Sequence, residues 1–227
     1  MKDPATRTAL AAGFEPDRLA ALETRMWKAY YRRQPARLFG LLILALREQA
    51  GASLPRAIGA ALLLTRAAVG FARARGGYER YALDIERAYR LLRLPPHADV
   101  GEVARWELRW WVVRREIGPA AGTAAGDAIA RLYAAYYGVP VERVAEAGRL
   151  RGLAAEVRDR GATADPRGAA GTGNAYWPEV ARLLRASYRE LARAVEGGDE
   201  ADPASARRPG APRATRPPET ARPRRPA

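Results

Sequence analysis

From Asp17 to Val195 apolar residues recur at intervals of three and four, and Gly or Pro interrupts them every 15 to 25 residues. That spacing places them on one face of an α-helix. No segment alternates apolar and polar residues with the period of two that a half-buried strand needs. The fold class expected is therefore all-α, a compact array of about eight helices.

The punctuation sets the helices. The first is expected from about Asp17 to Arg33, with Leu19, Leu22, Met26 and Tyr30 on one face. Pro35 opens a second, to Ala50, apolar nearly all round and suited to the centre of a core or to a dimer interface. Ser53 and Pro55 start a third, running to about Arg75 with Ile58, Leu62, Thr65 and Val69 in line, and Gly76-Gly77 stops it. A fourth spans Tyr78–Arg93. Asp99 and Glu102 resemble an Asp form of the capping box and open a fifth, to about Ile117. A sixth runs from about Thr123 to Tyr137, and a seventh from Pro140 to about Arg160. Pro178 opens the last, with Val180, Leu183, Leu184, Ser187, Leu191 and Val195 in line.

The division expected is a flexible N-terminus over 1–15, a single helical domain over 16–196 with a mobile Gly-rich loop at about 161–176, and a disordered basic Pro/Arg-rich C-terminal tail over 197–227. The tail holds seven prolines and no Leu, Ile, Val, Met or aromatic residue, so it cannot bury enough apolar area to offset its ordering entropy.

Composition closes several chemistries. There is no Cys, which removes disulfides, thiolate nucleophiles and Cys-ligated metals. The one histidine, His97, sits between Pro96 and Ala98 with no nucleophile nearby, and no serine lies in a G-x-S-x-G elbow. No phosphate-binding loop is present, and the string Gly168–Gly173 follows no strand. No cofactor is expected. The apolar stretches Leu38–Leu46 and Ala57–Ala72, of nine and sixteen residues, fall short of the ~20 a membrane span needs, so no span and a cytoplasmic location are expected.

Net charge is +14, yet 37 of the 39 basic residues are arginine. Such Arg, Ala, Gly and Pro richness follows from GC-rich codons without a functional cause. Nucleic-acid or anionic-surface binding through the Arg excess stays one reading. The run Tyr30-Tyr31-Arg32-Arg33 is its best local feature.

The sharper signal is two acids inside apolar stripes. The helical neighbours of Glu107 are Val103, Ala104, Trp110 and Trp111; those of Glu23 are Leu19, Ala20, Met26 and Trp27. Glu116, with Val112 and Val113 behind it, is a weaker case. A buried carboxylate must find a partner or hold its proton more tightly. Arg114, Arg115, Arg149 and Arg151 are the partners within reach. Glu23, Trp27, Tyr30, Glu107, Trp110, Trp111, Arg114, Arg115 and Glu116 thus form the candidate cluster. It is read either as a structural Glu–Arg pair or as the lining of a pocket for a small polar ligand or a protein partner. The alternative is a carboxylate-dependent enzyme. The helical pattern and acid placement resemble ferritin-like and haem-oxygenase-like bundles, but the histidines are missing: no Glu-x-x-His pair exists. No metal site is therefore assigned. Convergence of Glu116, Asp127 or Asp84 on the two acids around a void favours the enzyme; a guanidinium filling the space favours the structural pair.

Overall fold

A computed structural model describes residues 13–164 and 175–196. Among these residues there are eight α-helices and two short 3-10 turns, and no strand. The helices are α1 (Pro16–Tyr31), α2 (Pro35–Ala50), α3 (Leu54–Arg73), α4 (Ala82–Leu92), α5 (Val100–Ile117), α6 (Gly122–Tyr137), α7 (Val141–Ala164) and α8 (Trp177–Glu196). Residues 1–12, the Gly-rich string at 165–174 and the 197–227 tail lie outside the described residues.

Helix ends follow the local chemistry. The Glu15 carboxylate accepts from the Asp17 and Arg18 amides and caps α1, with Pro16 in the first turn, where its missing N–H costs nothing. Asp99 caps α5 by accepting from the Glu102 amide at 3.0 Å. The reciprocal half of the capping box is absent: the Glu102 carboxylate accepts from the Trp106 indole N–H instead. The expected fourth helix begins as a 3-10 turn, Tyr78–Tyr81, before α4. The seventh runs through Gly161 to Ala164, four residues that the expected loop had included. At the end of α6 Gly138 adopts φ 66°, the left-handed cap that glycine accepts without strain.

Packing is sequential and closed. Each helix packs on the next, and α8 returns to pack on α1. Direction can be read from side-chain pairs: Glu23 meets Arg151, and eight residues further along each helix Tyr31 and Asp159 share Arg114. Helices α1 and α7 therefore run parallel, and α5 runs with them, since Trp110 lies under Arg151 and Arg114 reaches Asp159.

The closest approach is between α6 and α7, where Gly122 and Gly126 face Gly148 and Gly152. A Cβ built on Gly152 would lie 2.6 Å from the Gly126 nitrogen and closer still to the Gly122 carbonyl oxygen. Backbone meets backbone here, so no side chain fits.

Two expectations about the core are corrected. On α3 the first half of the expected stripe points outward, with Ile58 42% and Leu62 62% exposed, while Thr65 and Val69 are half-buried. The buried face is Ala57, Ala60, Ala61, Leu64, Ala67 and Phe71. Small residues let α3 lie close against α2 and α4. On α2, Leu38, Leu41, Leu42, Ala45 and Leu46 are buried while Leu44 is exposed, so the helix is a flank of the core and not its centre. Helix α3 has 20 residues and a mean hydropathy that would suit a membrane span by length and composition, with a third of that stretch buried in the bundle. The sixteen-residue limit read from the sequence was too short, because Leu54 to Arg56 continue the helix before Ala57.

Candidate functional site

Inside the ring lies a cavity of about 500 Å³. Helix α1 contributes Glu23, Trp27, Tyr30 and Tyr31 to its wall; α5 contributes Glu107, Trp110, Trp111, Arg114 and Arg115. Helix α7 supplies Arg151, Arg158 and Asp159, and α2 and α3 close the apolar side with Leu38, Leu42, Leu64, Ala68 and Phe71. Eight of the nine candidate residues thus meet around one space. Glu116 does not: it is exposed. At 100° per residue the nine-residue step from Glu107 turns it to the opposite face of α5.

The inner end is built on Glu23, which is 3% exposed. Its Oε1 accepts from the Arg151 Nε at 2.9 Å and from the Trp27 indole N–H at 3.0 Å. The Arg151 Nη2 donates to the same oxygen, and the Tyr188 hydroxyl donates to Oε2 at 2.6 Å. The guanidinium also lies over the Trp110 and Tyr133 rings. Burial pulls the Arg151 pKa down, but Glu23, Tyr133, Tyr188 and Glu107 together more than offset it and hold the group well above the usual arginine range. The ion pair is thus hydrogen-bonded on nearly every polar atom, the condition under which a buried pair is tolerated.

Glu107 lies in the same wall without an ion-pair partner in contact among the described residues. Its Oε1 accepts from the Trp111 indole N–H at 3.1 Å and its Oε2 from the Tyr89 hydroxyl at 3.1 Å. The Trp110 indole N–H leans toward it as well, without a hydrogen bond of good geometry. Burial pushes the Glu107 carboxyl above the usual glutamate range; the Arg151 charge and the Tyr89 hydroxyl pull it back only part of the way. The native state therefore binds this proton more tightly than the unfolded chain does. Stability is lost as pH rises from the ordinary glutamate pKa through the raised native one. Glu107→Gln is expected to remove that loss, so that its melting temperature gains on the wild type between pH 4 and pH 7. A difference that stays flat across this range contradicts the assignment.

The outer end lies two turns further along the same three helices. Arg114 donates from Nη2 to both Asp159 oxygens at 2.9 and 2.8 Å and to the Tyr31 hydroxyl at 2.7 Å. Its guanidinium lies over Trp27 and Trp110. Arg158 donates to the Asp159 Oδ1 at 2.9 Å and stacks on Tyr31. Arg115 is exposed at the rim; it donates to the Ala74 and Phe71 carbonyls and covers the Phe71 ring. There it complements the negative end of α3.

The other named acids do not converge. Asp84 pairs with Arg66, while Glu116 and Asp127 are exposed. Among the described residues no three His, Cys, Asp or Glu side chains form a metal-sized group. Of the four proposed arginine partners Arg151 takes Glu23, and Arg149 pairs with Glu146 on the surface. A guanidinium does stand beside the two acids, yet it does not fill the space, and the cavity remains. Tyr30 and Tyr31 line the cavity. Sequence reasoning missed Asp159, Arg158, Tyr89, Tyr133 and Tyr188. The α7 residues had a signal: 151, 155, 158, 159 and 162 share one helical face. The tyrosines had none, because their polar tips sit on stripes that read as ordinary core. No family model, curated protein or solved structure matches the chain.

Proposed function

We propose that this protein binds a small organic molecule in the cavity between α1, α2, α3, α5 and α7. The observation that carries the reading is the cavity itself: about 500 Å³, walled by Trp, Tyr, Phe and Leu side chains with a few fixed polar groups. Ligand sites have this size and this mixture. The buried Glu23–Arg151 pair joins α1 to α7 at the inner end of the cavity. Many surface arginines are spent on neighbouring carboxylates, as in Arg18–Glu48, Arg182–Glu179 and Arg189–Asp17, which makes the Arg excess a weaker reason to propose nucleic acid.

The test is saturable binding of a neutral apolar dye, Nile red, followed by its fluorescence. Ala68→Trp and, from a different helix, Ala162→Trp both fill the cavity. One-site binding to the wild type, lost in either folded variant, is the expected result. Binding that is unchanged in both variants, or absent from the wild type, refutes the reading.

A further inference from the structure

The cavity has a chemical direction that its size alone does not give, and this inference rests on the binding reading above. Along α1, α5 and α7 the polar residues fall into two groups separated by seven or eight positions, roughly 10–12 Å of helix. The inner group is Glu23, Glu107 and Arg151; the outer group is Arg114, Arg115, Arg158 and Asp159. The outer lining holds three arginines and one carboxylate: Arg114 and Arg158 pair with Asp159, and Arg115 does not.

The hydrogen-bonding needs left over are one-sided. The Arg158 Nε–H is buried without an acceptor, the Trp110 indole N–H has only a poorly aligned approach to Glu107, and both residues line the cavity. Trp110 is only 7% exposed. Among the described residues Arg115 has no carboxylate partner, and it donates to two backbone carbonyls. By contrast every carboxylate in the wall already accepts: Glu23 from Arg151, Trp27 and Tyr188, Glu107 from Trp111 and Tyr89, and Asp159 from Arg114 and Arg158. A buried donor without an acceptor is costly, and a ligand oxygen would remove that cost. Opposite these groups lies the apolar wall of Leu38, Leu42, Leu64, Ala68 and Phe71.

We infer that the ligand is an amphipathic organic anion: an oxyanion head held at the arginine end and an apolar body laid along α2 and α3. Charge-assisted hydrogen bonds from guanidinium to an oxyanion are the strong kind. A cationic amine meets the opposite situation, with the aromatic faces of Trp27 and Trp110 already covered by arginine.

Three probes of equal chain length separate head from body: decanoate, decanol and decylamine, each titrated below its aggregation concentration against intrinsic tryptophan fluorescence. Decanoate is expected to bind at least about ten-fold more tightly than decanol, with decylamine weaker than either. Arg115→Gln is expected to remove most of the decanoate preference while leaving decanol within about two-fold, and Arg158→Gln gives a second, independent variant. Equal affinity for decanol and decanoate, or a preference for decylamine, overturns the head-group assignment and leaves the cavity reading standing. A decanoate preference that survives in both folded variants overturns its placement at the arginine end. Failure of all three probes together with failure of Nile red overturns both.

Discussion

Glu23→Ala is expected to destabilise the protein by about 3–5 kcal/mol, the cost of leaving a buried charge without its partner. The substitution strands the Arg151 guanidinium, the Trp27 indole N–H and the Tyr188 hydroxyl, all of which donate to that one carboxylate. Helices α1, α7 and α8 lose their common polar contact together. For a chain of this size the loss corresponds to a fall in melting temperature of roughly 10 °C or more. The pair adds little beyond an apolar substitute, so replacing both partners, as Glu23→Leu with Arg151→Met, should recover much of the loss. The cycle of single and double variants separates the pair from its surroundings. Chemical denaturation of the four proteins reads it. A loss below about 1 kcal/mol for Glu23→Ala contradicts the account.

The second large effect is at Gly152. In most helices Gly→Ala is favourable by up to about 1 kcal/mol. Here the new methyl group would collide with the Gly122 and Gly126 backbone, which cannot turn aside as a side chain can. The two helices must separate, and overpacking of that kind costs about 1–3 kcal/mol. Gly152→Ala is therefore expected to destabilise by roughly 2 kcal/mol net. Gly40, in α2, is the control: nothing lies within 4 Å of the Cβ it would carry, and Gly40→Ala should stabilise by about 0.5–1 kcal/mol. Thermal melts of both variants give opposite signs if the α6–α7 contact is as described. Two shifts of the same sign contradict it.

The same glycines show why part of this fold could not be read from the sequence. Helical periodicity locates large apolar residues, and it works where the buried face carries them, as with Leu183, Leu184 and Leu191 on α8. It fails on α3, where Ile58 and Leu62 look like core but the neighbours need alanine to come close. It is weak on α7, whose contact face toward α6 is glycine and whose inward face carries Arg151. Smallness becomes a packing signal only once the partner helix is known.

The candidate cluster was more legible. A carboxylate with apolar neighbours at both i±3 and i±4 has no wet direction to point in, so Glu23 and Glu107 were exposed by spacing alone. Which arginine would meet them was not, because Arg151 lies 128 residues from Glu23 and only the return of α7 beside α1 joins them. Glu116 failed by simple rotation around α5. Asp159 shares a helical face with Arg151, but its helical neighbours are Ala155, Glu156, Ala162 and Thr163, with no large apolar residue to mark it as buried.

Crystals soaked with 6-bromo-2-naphthol offer the most direct test, since anomalous scattering places the bromine without ambiguity. The account predicts a bromine peak inside the ring, bounded by Trp27, Leu64, Phe71 and Trp110, at one site per chain. A cavity that stays empty at saturating probe, or bromine found only on the outer surface, contradicts it.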